Sequence, residues 1–110
     1  MENKTSKTIK ELPEDERPRE KLLKYGADKL SDTELLAILL RTGTKGKSAI
    51  AMAEEILGSA GGTFKGLAGK DTDEITKISG VKNAKVVTVA AALEISRRVS
   101  KQILKDKGII

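Results

Sequence analysis

Residues 75–98 read ITKISGVKNAKVVTVAAALEISRR, and this stretch decides the fold. A short apolar helix end at Ile75 and Ile78 meets a tight turn, Ser79-Gly80-Val81-Lys82, and a long Ala-rich helix restarts near Asn83. The first amides of a helix have no partner within it, and with the helix dipole they attract an anion. Gly80 can be a simple helix C-cap, the commonest use of a glycine just past a helix end. The apolar residues before it, Val81 within the turn and the immediate helix restart together favour a backbone clamp for phosphate. On that reading Val81 is a peg into the core, Gly80, Lys82 and Asn83 present amides outward, and Lys82 and Lys85 add positive charge.

Outward from this stretch, charge is unevenly spread. Residues 77–110 hold 8 Lys or Arg against 2 Asp or Glu, while residues 1–76 hold 13 against 14, so the whole net charge of +5 sits in the turn and the helix after it. A basic stripe suits a nucleic-acid face, although solvated helix faces are equally rich in lysine.

Upstream, Arg41-Thr42-Gly43-Thr44-Lys45-Gly46-Lys47 forms a second turn between helices. Its Arg41, Lys45 and Lys47 surround small residues that permit close approach, so it is a candidate second phosphate clamp. A flexible Gly-rich connection would look the same, and for this turn the structural reading is favoured. The segment does not match a P-loop: its glycine spacing is wrong and no strand precedes it.

The remaining pattern is helical. Pro18 suits a first helical turn, with Leu22, Leu23 and Tyr25 on its apolar side and Gly26 as its stop. Ser31 and Glu34 read as a capping box opening a helix that is apolar on nearly every side to Leu40, the expected buried central helix. Ser48 to Leu57, Thr63 to Ala68 and Asp71 to about Ile78 read as further helices. On the last helix Val86, Val89, Ala90, Ala92, Leu93, Ile95, Val99 and Ile103 form a broad apolar arc. No period-two alternation marks a strand. The expectation is an all-α, compact bundle of five or six helices with two helix-hairpin-helix elements, the clearer at 75–98. Residues 1–12 read as a flexible arm, 13–105 as the domain and 106–110 as a tail.

Aromatics are nearly absent, with Tyr25 and Phe64 alone, so Leu, Ile, Val and Ala must build the core. With no histidine and no cysteine, the chain lacks an imidazole base, a thiol nucleophile and the usual zinc ligands. No apolar run approaches a membrane span and no signal peptide is evident, so a cytoplasmic location without membrane contact is expected.

Two segments carry a resemblance. Leu12-Pro13-Glu14 with Arg17-Pro18-Arg19-Glu20-Lys21-Leu22-Leu23, followed by Leu30-Ser31-Asp32 and Glu34 through Gly43, is similar to the amino-terminal region of the RadC family of bacterial proteins. Ile78 to Arg98 resembles that family's helix-hairpin-helix motif. The resemblance implies a non-catalytic module that binds duplex or branched DNA irrespective of sequence, in a family described as DNA repair proteins. Together with the residue pattern it gives an expected main contact at Gly80, Val81, Lys82, Asn83 and Lys85, and the residue pattern adds a second set across Arg41, Thr42, Gly43, Thr44, Lys45, Gly46 and Lys47. No cofactor is expected, though a monovalent cation sits on the hairpin carbonyls in some relatives. Family members usually continue into a carboxy-terminal domain like the JAB/MPN metalloproteases, with a zinc site of histidines and an aspartate. That domain is absent here, so 106–110 reads as the tail leading to it, and docking onto it or another protein is the rival function. Lys82 departs from the family pattern, standing where a second glycine is usual.

Overall fold

A computed structural model describes residues 17–44, 46–78 and 81–110. The expected arm at 1–12, Pro13, Lys45, Ser79 and Gly80 lie outside the described residues. Six α-helices and one 3-10 turn make up the described chain, which contains no strand, only an isolated antiparallel bridge between Thr44 and Lys47. The protein is all-α.

Helix α1, Pro18–Tyr25, starts on proline, whose missing amide is no loss at a first helical position. It stops at Gly26, which at φ 93° returns its amide to Leu22 O at 2.8 Å. A 3-10 turn at Ala27–Lys29 leads to α2, Asp32–Leu40. The expected capping box is present: the Glu34 amide donates to Ser31 Oγ at 3.1 Å, and Glu34 Oε1 accepts from the Ser31 amide at 2.9 Å. The same carboxylate pairs with Lys21 Nζ at 3.1 Å, tying α1 to α2. Helix α3, Ala49–Ser59, is capped by Ser48 Oγ, which accepts from the Ala51 amide at 3.0 Å.

Two short helices follow, α4 at Phe64–Ala68, capped by Thr63, and α5 at Thr72–Thr76. Glu74 Oε1 accepts from the Asp71 amide at 3.2 Å, so the acidic signal there does mark a helix start. Helix α6, Asn83–Asp106, is the longest at 24 residues, or about 36 Å at 1.5 Å per residue.

The core lies where α2 and α3 pack on one another, with α6 laid against α2 and α5. Leu36, Leu40, Met52, Ile56, Leu67 and Val89 are fully buried. The central position is therefore shared. Sequence reasoning gave it to α2, yet Leu35, Ile38 and Leu39 stay half-buried while Met52, Ala53 and Ile56 of α3 are completely enclosed. Helix α3 is contacted by α2 on one side and α4 on another, which closes off its apolar face.

The apolar arc of α6 is also shorter than its sequence suggests. Val86 and Val89 are buried and Ala90, Ala92 and Leu93 half-buried, but Ile95, Val99 and Ile103 are exposed at 64%, 54% and 47%. The helix outruns the bundle. Arg97, at the edge of that arc, donates from Nη2 to Ala68 O at 2.7 Å and so serves the C-terminal carbonyls of α4.

Burial of Glu34 opposes its charge, but the Ser31 amide and Lys21 outweigh it and hold the carboxyl below its ordinary value. The folded chain then binds that proton less tightly than the unfolded chain does. The resulting stabilisation is complete above the ordinary carboxylate range and is lost as pH falls through the folded value. Glu34→Gln is expected to melt below the wild type at pH 7, with the gap closing as pH is lowered from about 5 to 3 in thermal unfolding followed by circular dichroism.

Candidate nucleic-acid interface

The turn between α2 and α3 is built around Arg41. Its φ of 68° and ψ of −60° put it in a tight three-residue γ-turn, closed by the Thr42 amide on Leu40 O at 2.8 Å. Among the described residues it is the sole non-glycine with positive φ. Such a conformation costs about 1–3 kcal/mol and persists only where the surroundings enforce it.

The enforcing group comes from α6. Lys85 Nζ donates to Leu40 O at 2.6 Å and to Thr42 O at 2.5 Å, clasping the two carbonyls on either side of Arg41. An ammonium at the C-terminal end of a helix also complements the partial negative charge there. Burial first, and then the neighbouring Arg41 guanidinium, hold the Lys85 pKa below its ordinary value. The charge is thus a cost that the two charge-assisted hydrogen bonds offset.

The rest of this turn has reasons of its own. A Cβ on Gly43 would stand 1.9 Å from Lys47 O, because Thr44 and Lys47 exchange backbone hydrogen bonds at 2.9 and 3.0 Å directly beside it. Gly46 takes φ 82° at the turn's tip. The glycines are required by the loop's own backbone. Lys47 pairs with Glu55 on α3, so its charge is partly committed within the fold. Thr42 is exposed and Thr44 half-buried.

At the second turn Val81 is buried, 6% exposed, and its amide donates to Ile78 O at 3.1 Å. Its side chain faces the core and its amide is taken, so neither is offered outward. Lys82, Asn83 and Ala84 are exposed, and their amides, at the N-terminal end of α6, have no partner among the described residues. The Lys82 carbonyl accepts from Lys85 and Val86 at 2.9 and 3.1 Å, which starts the helix. Lys82, Lys101 and Lys105 carry no ion-pair partner among the described residues, whereas Arg97 and Arg98 are both engaged by Glu94.

Of the residues singled out from sequence, the structure therefore leaves Lys82 and Asn83 at the surface at the start of α6 and turns Lys85 inward. Lys85 was expected as an outward charge; the geometry makes it the joint between the two turns. Sequence reasoning missed this because 43 to 45 residues separate the lysine from its acceptors. No local signal marks the strained Arg41 either, since α4, α5 and α6 end on residues in the ordinary right-handed region and a helix end does not by itself call for a positive φ.

The geometry defines a small all-α domain in which the first turn of α6 is clasped to the turn that follows α2, and the start of α6 carries amides with no partner among the described residues. The chain belongs to the UPF0758 family: the family's N-terminal model, described as UPF0758 N-terminal, matches residues 9–87. It is 44% identical over 102 residues to a UPF0758 protein of Bacillus licheniformis, covering 93% of this chain and 45% of that one. UPF0758 proteins of Clostridium botulinum and a Polaromonas species are each 46% identical over 101 residues, with 42% and 45% of their lengths covered. The chain thus spans less than half the length of these curated relatives. No solved structure matches it significantly. No helix among the described residues is long and apolar enough to cross a membrane.

Lys85→Met keeps the aliphatic stem but removes both hydrogen bonds. It is expected to destabilise the domain by about 1.5–3 kcal/mol in urea unfolding, the worth of a hydrogen bond to a charged group, and to speed amide exchange at Thr42.

Proposed function

We propose that this domain is a non-catalytic module that binds DNA irrespective of sequence, contacting phosphates through the start of α6. The observation that carries this reading is the set of amides at Lys82, Asn83 and Ala84 that have no partner among the described residues, at the positive end of a 24-residue helix, beside the Lys82 ammonium, likewise without an ion pair among them. Backbone amides and a point charge recognise phosphate and read no bases. Concentration of the net positive charge in residues 77–110 supports it, as does the resemblance to the RadC family's helix-hairpin-helix region, with α5 and α6 as its two helices. Ser79 and Gly80, the centre of that hairpin, lie outside the described residues.

The position of Lys85 narrows the proposal. Its ammonium holds the first turn in place, so the α6 contact rests on Lys82, Asn83 and the neighbouring amides, and the first turn adds Arg41. Binding of this kind is modest and salt-dependent, with a slope of log affinity against log salt of about −2 to −4. Lys82→Glu is expected to weaken duplex binding roughly 3- to 10-fold and to flatten that slope by about 1 in fluorescence anisotropy at two salt concentrations. Unchanged affinity and slope would remove the α6 turn as the contact.

A second reading is favoured by a separate observation. Ile95, Val99 and Ile103 form an exposed apolar stripe on the outer half of α6, the kind of surface a protein partner covers. In relatives more than twice as long, the remainder of the chain is the natural occupant, and the domain would then serve as a docking module. Val99→Glu is expected to leave duplex binding intact but to raise protease sensitivity between the two parts in a full-length relative carrying the same change. Equal cleavage with and without it would discard docking.

A further inference from the structure

A cavity of about 650 Å³ opens between the start of α1, the end of α2 and the start of α3. Its volume falls within the range of small-molecule sites. Pro18, Ala37, Ile38 and Ala49 give it apolar walls, and Arg19 and Arg41 stand among its lining residues. Neither guanidinium has a hydrogen-bond or ion-pair partner among the described residues. The wall also carries Glu20, likewise unpaired.

This combination selects among ligands. Two guanidinium forks match the oxygens of a phosphate, and guanidinium planes also stack on bases. Apolar walls have no use for a bare phosphate but suit a base, and a carboxylate repels an anion while accepting from a ribose hydroxyl or an exocyclic amine. The starts of α1 and α3 both line the cavity, adding positive potential. Arg41 is also the residue whose backbone the Lys85 clasp holds in a strained conformation, so the fold fixes the point from which its side chain extends.

We infer that this cavity is a binding site for a single nucleotide unit, its phosphate held by Arg41 and Arg19 and its base against Pro18 and Ile38. Lys85 acts as a positioning residue, touching no ligand but fixing the turn that carries Arg41. The nucleotide is either free or the terminal unit of a strand, and both present the same chemistry. The site is distinct from the start of α6 and does not require that contact to be correct.

The test is titration of the full chain, followed by amide chemical shifts, with adenosine 5′-monophosphate, inorganic phosphate, and a single-stranded oligonucleotide with or without a 5′-phosphate. Saturable shifts at Arg17, Arg19, Glu20, residues 41–44 and residues 46–49 with the mononucleotide, weakened at least tenfold by Arg41→Gln, would establish a free-nucleotide site. The same shifts with the 5′-phosphorylated strand alone would establish a strand-end site. Arg41→Gly relieves the backbone strain, so it should melt no lower than the wild type while losing binding to the same extent, which separates ligand loss from misfolding. Lys85→Met should weaken binding several-fold, and Lys82→Glu should leave the mononucleotide unaffected while it weakens duplex binding. Inorganic phosphate binding as tightly as the mononucleotide, no saturable shift with any probe, or full binding by Arg41→Gln would each overturn the inference.

Discussion

A core without large rings holds together only if helix backbones approach closely, and that constraint governs this domain. Tyr25 is half exposed and Phe64 only half-buried, so neither fills the centre. Ala37, Ala49, Ala53 and Ala60 stand at buried positions, where their small side chains let Leu36, Leu40, Met52 and Ile56 interlock. Gly66 shows the limit of this closeness: a Cβ there would stand 1.9 Å from Ala60 O. The candidate contacts lie at helix ends and in the connections beside them, Arg19 at the start of α1, Arg41 after α2 and Lys82 with Asn83 at the start of α6.

Two of these connections, distant in sequence, act as one unit. Lys85 belongs to the first turn of α6, yet its ammonium completes the end of α2, so the start of one helix and the end of another share a single charged group. The arrangement explains why the basic segment 77–110 is not simply a solvated face. Part of its charge stabilises backbone: Lys85 serves α2 and Arg97 serves α4. What remains without an ion pair among the described residues, Lys77 and Lys82 at one end and Lys101, Lys105 and Lys107 at the other, is less charge than composition suggests.

The sequence was most legible where the physics is local. Pro18, Gly26, the Ser31 and Glu34 box, Ser48 and the start of α6 at Asn83 were all readable, because caps and stops act over three or four residues. The burial of Val81 was readable too, from one apolar residue isolated among polar turn residues. Burial along α6 was not: periodicity says which residues share a face but not how far the neighbours extend to cover it, so Ile95, Val99 and Ile103 looked like core. The candidate site was legible in its positions and not in its roles. Lys82 and Lys85 are indistinguishable as letters, and only the fold separates one that faces solvent from one that turns inward.

The length of α6 gives that inward lysine a further significance. From Glu94 to Asp106 every residue is exposed, some 20 Å of helix that Arg97 ties to α4 through Ala68 O. Val86 and Val89, buried one and four residues beyond Lys85, fix the rotation of the helix about its axis at the clasp. A shift of one residue in register, about 100° around the axis, would withdraw the ammonium from both carbonyls and let Arg41 relax. The shape of the turn after α2 therefore depends on the rotational setting of a helix that begins more than forty residues later, a setting held by two valines.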